Sequence, residues 1–116
     1  MDCDFLVLAC ALTPSSRHLL NESTLRRVKP GVRIVNVSRG ALIEEPALEA
    51  ALERGAVHSA ALDVFEVEPL PRSSRLLAHP RCIFGSHNGS NTEEAVRRTS
   101  LRAIELLFAN LGVQAS

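Results

Sequence analysis

Three side chains that could cooperate in acid–base chemistry follow three separate apolar segments of the chain: Arg39, Glu68 and His87. The planar guanidinium of an arginine binds a carboxylate through two parallel hydrogen bonds. Histidine is the side chain that most readily gains or loses a proton near neutral pH, and a neighbouring carboxylate favours its protonated form. Drawn together, these residues would bind an organic acid and transfer a proton to or from it.

Each of these residues also has an explanation that involves no chemistry. Arg39 could satisfy carbonyl groups at a strand end or pair with Glu44, and His87 could fill a turn. Glu68 could be a solvated loop residue, and Glu66 is a second candidate in the same loop. The three residues are more informative together than singly, because chance supplies a constellation from separate segments less readily than one local motif.

One further carboxylate stands out, and the remaining histidines do not. Asp63 closes an apolar segment, so we expect its carboxylate to accept hydrogen bonds from the backbone or from a ligand hydroxyl. His18, His58 and His79 have no comparable partners in the sequence, and we interpret them as structural or surface residues.

Short apolar segments predict four β-strands, each bounded by turn residues. The first is a continuous apolar run, as expected of a buried parallel strand. The predicted strands are Phe5–Cys10, Arg33–Val37, Ala60–Val64 and Arg81–Gly85.

Helical patterns separate these strands. The stretch from Ser16 to Val28 predicts one or two short helices with Asn21 as an N-cap. Pro46 lies in the first turn of a further predicted helix, which runs to Arg54 and stops at Gly55. A last helix is predicted to start at Asn91, with Glu94 completing a capping-box-like pair. Its apolar face and its end are predicted at Val96, Ala103, Leu107, Leu111 and Gly112.

Strands that alternate with helices predict an α/β fold with a mainly parallel sheet. Right-handed crossovers bring the carboxyl ends of such strands to one edge, where ligands bind in open parallel sheets. Because Arg39, Glu68 and His87 each follow a predicted strand, we expect all three in one cleft at that edge, with Glu68 near His87.

Composition argues against several other classes of protein. The 116 residues carry 13 Lys and Arg against 13 Asp and Glu, so the basic surplus typical of nucleic-acid binders is missing, and aromatic residues are only 3%. The apolar runs are too short to cross a bilayer. Three cysteines without paired spacing or a zinc motif fit a reducing cytoplasm. We therefore expect a cytoplasmic protein that binds a small molecule, with neither nucleic acid nor membrane as partner and no metal.

Three ordered blocks of the sequence resemble the signatures of the D-isomer-specific 2-hydroxyacid dehydrogenases. They are Asn36-Val37-Ser38-Arg39-Gly40, Leu62-Asp63-Val64-Phe65-Glu66-Val67-Glu68-Pro69 and Ser86-His87-Asn88-Gly89. Leu12-Thr13-Pro14, His18-Leu19 and Lys29-Pro30-Gly31 also match, so the resemblance covers about residues 2–112. The form of the last block is similar to a branch that resembles phosphoglycerate dehydrogenase.

The resemblance implies roles for individual residues. Arg39 would hold the carboxylate and carbonyl of a 2-keto acid, Glu68 would be the catalytic acid beside the histidine, and His87 would be the general acid and base. The positions that resemble contacts to the nicotinamide end of NAD are Val37, Ser38, Arg39, Asp63, His87, Asn88, Gly89 and Ser90.

The sequence departs from the family pattern at three positions. Ala9 and Ala11 stand where the family often has His and Pro, and Ser86 replaces the more usual proline before the histidine. The first two positions line the cofactor pocket in the family, so the cofactor contact there differs in this chain.

The family's phosphate-binding glycine turn, Gly-x-Gly-x-x-Gly, does not occur in the 116 residues, and an apolar strand begins four residues from Met1. We therefore interpret residues 1–116 as the second half of a Rossmann-like doubly wound domain, with the glycine turn and the substrate domain outside them. The expected cofactor is NAD, and NADP stays open because the selecting residue also lies outside. The complete protein would be a homodimeric oxidoreductase, and the isolated chain would be inactive.

Two alternatives remain. A non-catalytic NAD-sensing or scaffold protein of the corepressor kind shares the fold, but it has no chemical need for Arg39, Glu68 and His87 together. Formate dehydrogenase is a relative that carries an amide where Glu68 stands, so this reading is disfavoured.

Overall fold

The computed structural model describes residues 2–112 as a four-stranded sheet with intervening helices. All strand pairs are parallel and lie in chain order, which confirms the predicted α/β fold. The strands are β1 (Phe5–Leu8), β2 (Val32–Asn36), β3 (Val57–Leu62) and β4 (Cys82–Phe84). The helices are α1 (Glu22–Leu25), α2 (Glu45–Glu53) and α3 (Glu93–Leu111), with short 3₁₀ helices at Gly40–Leu42 and Arg75–Ala78.

One face of the sheet carries the hydrophobic core. Ile34 of β2 and Leu62 of β3 are buried on this face together with Leu48 and Leu52 of α2. Period-2 alternation in the strands and the apolar stripe of α2 supply these side chains. The core fixes the strands from one side and leaves their carboxyl ends facing solvent at one edge.

The opposite face of the sheet is open. Phe5 and Val7 are 60% and 59% exposed, and Ile83 is 72% exposed. The first strand is shorter than predicted, because β1 ends at Leu8 and not at Cys10. It is an edge strand whose outward side chains lack cover among residues 2–112. The apolar run reports a strand with two apolar faces, and only one of them is covered here.

The helix between β1 and β2 is shorter than predicted. Only Glu22–Leu25 is α-helical, and the preceding segment forms a turn held by Thr13 and Ser16. The predicted N-cap is confirmed, because the Asn21 side chain accepts a hydrogen bond from the Thr24 amide. In return, the Thr24 hydroxyl accepts a hydrogen bond from the Asn21 amide. Helix α2 begins at Glu45, so Pro46 lies in its first turn, as predicted.

Helix α3 starts one residue later than predicted. Thr92, not Asn91, is the N-cap, and its hydroxyl accepts from the Ala95 amide. The amide of Asn91 is already used in a turn to the Asn88 carbonyl, which places Asn91 outside the helix. Gly112 ends the helix, as predicted, and has a left-handed conformation. The described part of α3 has no buried residue, so its apolar face is not covered by residues 2–112.

A glycine allows the segment after β2 to approach the segment after β3. A Cβ at Gly40 would lie 1.8 Å from the carbonyl carbon of Phe65. No flexible side chain can yield there, because the obstacle is backbone. This contact sets the distance between the two loops that carry Arg39 and Glu68.

We expect Gly40→Ala to lower the free energy of unfolding by roughly 3 kcal/mol, because overpacking of this kind forces backbone shifts. Gly55→Ala is the matched control: its Cβ would meet nothing, and only its positive φ costs about 1 kcal/mol. Urea unfolding of both variants checks the order. A smaller loss for Gly40→Ala than for Gly55→Ala would contradict the proposed close contact.

Candidate active site

The loop after β3 is folded back on itself by the Glu68 carboxylate. Glu68 Oε1 accepts the Phe65 amide at 3.0 Å, which holds the side chain beside the strand end. Pro69 follows directly and is joined by a cis peptide bond. Because Oε1 is bound to the Phe65 amide, Oε2 is the oxygen of Glu68 that the loop presents outward at the carboxyl edge of the sheet.

That outward oxygen meets the histidine of the neighbouring loop. His87 Nδ1 lies 2.7 Å from Glu68 Oε2, and both side chains are partly exposed. Because the carboxylate accepts, His87 donates through Nδ1, which leaves Nε2 as the nitrogen that can hold or give a proton. The structure thus brings together two of the three residues predicted to share a cleft.

Asp63 organises the loop that carries His87. Its backbone carbonyl accepts the His87 amide at 2.8 Å, and its carboxylate accepts the amides of Gly89 at 2.8 Å and Asn88 at 3.3 Å. These bonds, chiefly the one from Gly89, hold the pKa of Asp63 below its ordinary value. The expectation that Asp63 accepts hydrogen bonds is confirmed, and the donors are backbone amides.

Asn36 has a part in the site that sequence reasoning did not assign. It is 0% exposed at the end of β2, its Nδ2 donates to the Arg39 carbonyl at 2.9 Å, and its Oδ1 accepts the Ser38 amide at 3.1 Å. A buried polar group needs such partners. The available signal was an amide at the end of an otherwise apolar strand, in the position where the loop must turn.

Arg39 lies at the same edge of the sheet but makes a local contact. Its Nη1 donates to the Ser38 carbonyl at 2.7 Å, so one of the explanations without chemistry applies in this structure. The Ser38 hydroxyl donates to the Cys10 carbonyl, which ties the loop after β2 to the loop after β1. Val37, which precedes Ser38 in the same loop, is 51% exposed.

A cavity of about 490 Å³ is lined by both residues of the Glu68–His87 pair. Glu68, His87 and Asp63 form its polar part, and Phe65, Leu70, Leu77 and Phe84 supply apolar walls. Arg39 does not line this cavity. The expectation that all three residues share one cleft therefore holds for Glu68 and His87, whereas Arg39 shares only the edge, because its guanidinium turns back to its own loop.

A second histidine–glutamate pair joins the loop after β3 to the segment before α1. His18 Nε2 lies 2.6 Å from Glu66 Oε1, and both side chains are partly buried. The interpretation of His18 as a histidine without a comparable partner is therefore wrong. The fold brings it into contact with a residue 48 positions further along the chain. The same contact separates the two candidate glutamates, since Glu66 faces His18 and Glu68 faces His87.

The pairing with His87 changes the acidity of Glu68. The hydrogen bond from His87, followed by the one from the Phe65 amide, lowers the pKa of Glu68 from its ordinary value. Glu68 is therefore held as a carboxylate, the form that accepts from imidazole.

Other kinds of site are not found in the described part of the chain. No group of three or more metal-ligating side chains occurs among residues 2–112, and no helix there is long and apolar enough to cross a membrane. Cys3, Cys10 and Cys82 are free thiols.

Comparison with known proteins gives the family. The family model for the D-isomer specific 2-hydroxyacid dehydrogenase NAD-binding domain matches residues 1–89. The chain is 41% identical over 112 residues to a hydroxypyruvate reductase of Thermotoga maritima, covering 95% of this chain and 37% of that protein. It is 47% identical over 92 residues to a D-3-phosphoglycerate dehydrogenase of Bacillus subtilis, covering 79% and 17%.

Solved structures agree. A D-lactate dehydrogenase of Treponema pallidum superposes with a TM-score of 0.84 at 31% identity, covering 97% of this chain and 38% of that one. A D-isomer specific 2-hydroxyacid dehydrogenase of Xanthobacter autotrophicus, solved with NADPH and MES, gives 0.71 at 42% identity, covering 72% and 27%.

The chain belongs to the D-isomer specific 2-hydroxyacid dehydrogenase family, within its NAD-binding domain. This confirms the resemblance read from the three sequence blocks and the Rossmann-like reading of the parallel sheet. The chain spans little more than a third of the Thermotoga relative.

We expect His87→Gln to raise the pKa of Glu68 toward its ordinary value, because it removes the largest cause of the lowering. A carboxyl group whose folded pKa is lowered stabilises the fold above its unfolded pKa, and this contribution is lost as the pH falls through the folded value. Titration of the Glu68 carboxyl carbon by ¹³C NMR measures the change.

His58→Gln is the matched control, since His58 is an exposed residue of β3 away from the pair. It should leave the Glu68 titration unchanged. An identical Glu68 titration in wild type and His87→Gln would show that the two side chains are not paired in solution.

Proposed function

We propose that this chain supplies the acid–base pair and the nicotinamide side of an NAD-dependent oxidoreductase, which interconverts a D-2-hydroxy acid and the corresponding 2-keto acid. The observation that carries the proposal is the 2.7 Å contact between Glu68 and His87 at the carboxyl edge of a parallel sheet. Membership of the family supports the reaction class.

In this proposal His87 is the general acid and base. Its Nδ1 is held by Glu68, so Nε2 is the atom that gives a proton to the carbonyl oxygen during reduction and takes it back during oxidation. Glu68, kept ionised, favours the imidazolium and fixes the ring orientation. The two residues therefore have different tasks: Glu68 binds the Nδ1 proton of the ring, and His87 exchanges the Nε2 proton with the substrate oxygen.

Arg39 is assigned to the carboxylate of the substrate. Its guanidinium lies at the same edge and donates to a carbonyl of its own loop. An incoming carboxylate is a better acceptor for a guanidinium than a neutral carbonyl, and it can bind both arms of the fork. The proposal therefore requires Arg39 to leave the Ser38 carbonyl when substrate binds.

The residues at the edge fit the nicotinamide end of NAD. Val37 offers an exposed apolar surface for one face of a ring, and Ser38 and Asp63 carry polar side chains at the same edge of the sheet. The other assigned contacts come from the turn at Asn88, Gly89 and Ser90 and from Arg39 and His87. When bound, the reduced nicotinamide supplies the hydride. NAD is the assigned cofactor, and NADP stays open.

Further parts of the proposal concern the complete protein. Free thiols at Cys3, Cys10 and Cys82 favour a reducing compartment, so we place it in the cytoplasm. The family resemblance favours a homodimer and a two-domain enzyme in which residues 1–116 form part of the NAD-binding domain. The relatives reported above are named as a reductase and as dehydrogenases, which supports an enzyme over a non-catalytic scaffold.

A chimera tests the function directly. Residues 2–112 replace the matching segment of the Thermotoga relative, and reduction of a panel of 2-keto acids is followed with NADH and NADPH. We expect activity in the chimera and a loss of roughly 10²–10⁴-fold in kcat for His87→Ala, the usual contribution of general acid catalysis. His58→Ala is the control and should stay active. A chimera that folds, binds NADH and retains full activity without His87 would refute the assignment.

The isolated 116-residue chain should bind NADH more weakly than micromolar and should not turn over a 2-keto acid. The pyrophosphate normally rests on the amides of a glycine turn and a helix N-terminus, and this sequence contains no Gly-x-Gly-x-x-Gly. Near-attack geometry, which accounts for roughly 7–11 kcal/mol of barrier, is then not enforced. Calorimetry with NADH checks the affinity, and micromolar binding with turnover would contradict this expectation.

A further inference from the structure

We propose that Glu66, together with His18, is a positioning residue that fixes the loop holding Glu68 against His87. The proposal rests on the proposed function, because the loop matters for chemistry only if the Glu68–His87 pair performs it. The His18–Glu66 pair would then hold the loop in place, and the Glu68–His87 pair would carry out the proton transfer.

Both oxygens of the Glu66 carboxylate are engaged. Oε1 meets His18 Nε2 at 2.6 Å, and Oε2 accepts the Glu45 amide at 3.1 Å. Helix α2 needs this bond, because the side chain of Glu44 at its N-cap makes no capping hydrogen bond. A carboxylate from 21 residues further along the chain caps the helix instead, and negative charge is favourable at a helix N-terminus.

The backbone of Glu66 is held from the same helix. Its amide donates to Glu45 Oε1 at 2.7 Å, so Glu45 and Glu66 exchange side-chain-to-backbone hydrogen bonds as the two ends of a capping box do. Burial, with a smaller contribution from the charge of Glu66, raises the pKa of half-buried Glu45. The arrangement brings two carboxyl groups together, and the paired hydrogen bonds compensate for that repulsion.

The contacts continue from Glu66 to the reactive pair. Phe65 precedes Glu66, its backbone packs against Gly40, and its amide donates to Glu68 Oε1 at 3.0 Å. Glu68 is thus anchored to a backbone group whose neighbour is fixed by α2 and His18. If residue 66 is released, the Phe65 amide loses its fixed direction, and the Glu68 carboxylate loses one of the two bonds that aim it at His87.

His18 is a fixed partner for this purpose. Its amide donates to the Ala41 carbonyl at 2.8 Å, and its backbone has a φ of 50°, in the left-handed region that a residue other than glycine occupies at a cost. The imidazole is therefore presented from a restrained turn. The contact with Glu66 joins the loop after β3 to the segment before α1.

The pKa of Glu68 distinguishes positioning from a simple charge effect. Deletion of the Glu66 charge in Glu66→Ala would, by electrostatics alone, lower the pKa of Glu68, since a like charge disappears. Loss of positioning instead loosens the contacts of Glu68 with His87 and the Phe65 amide. Because these contacts lower the pKa of Glu68, loosening them raises that pKa. The two mechanisms thus predict opposite signs in the same ¹³C NMR titration of the 116-residue chain.

We expect the pKa of Glu68 to rise in Glu66→Ala and, to a smaller extent, in His18→Ala, with faster hydrogen exchange at the Phe65 amide. Glu49→Ala is the matched control, because Glu49 lies on α2 and likewise accepts a backbone amide, that of Arg75, outside the loop. It should leave Glu68 unchanged and accelerate exchange only near Arg75. Should Glu66→Ala fail to fold, Glu66→Gln, which retains one oxygen acceptor, takes its place and should likewise raise the pKa of Glu68.

An unchanged or lowered pKa of Glu68 in the folded Glu66 variants, or an equal rise in Glu49→Ala, would overturn the positioning role. Failure of the proposed function has a different signature. In that case the chimera would keep full activity without His87, while the pKa of Glu68 would still rise in Glu66→Ala.

Discussion

The site depends on backbone hydrogen bonds that continue past the ends of the strands. Beyond the regular sheet, the Val37 amide donates to the Leu8 carbonyl, the Asp63 amide to the Asn36 carbonyl, and the His87 amide to the Asp63 carbonyl. Each loop that carries a polar side chain is therefore held by the strand or loop beside it before any side chain contributes. Parallel pairing with the core on one face thus determines where Glu68 and His87 meet, and the glutamate–histidine bond completes a geometry that the backbone has set.

The sequence allowed the prediction of this edge, because strand order and crossover hand leave little freedom in a parallel sheet. It also allowed the prediction that Glu68 and His87 meet and that Asp63 accepts hydrogen bonds. It did not allow the prediction of how Arg39 turns, since the direction of a long exposed side chain depends on which acceptor lies nearest. Nor did it reveal the contact of His18 with Glu66, because long-range pairs between loops leave no periodic signal in the chain.

The exposed apolar side chains of β1 and α3 have a common physical origin. Apolar patterns in β1 and α3 predict side chains that need cover, and the pattern is equally strong whether or not the cover lies in the same chain. Phe5, Val7 and Ile83 on the open sheet face and the apolar residues of α3 are exposed among residues 2–112. The face that α1 and α2 cover behaves as the pattern predicts. Burial is thus a property of the assembly of elements, whereas periodicity belongs to the element alone.

Backbone strain marks both histidine–glutamate pairs. Within residues 2–112, the residues other than glycine with positive φ are His18, at 50°, and His87, at 58°. Left-handed backbone costs a residue of this kind roughly 1–3 kcal/mol and persists only where surrounding contacts determine it. In each case the histidine's backbone amide donates a hydrogen bond, and a glutamate carboxylate contacts its imidazole ring. A histidine held this way cannot easily change its ring direction, because backbone and side chain are restrained together. For His87 this restraint keeps Nε2 directed away from Glu68, which is the orientation that proton transfer to a bound substrate requires.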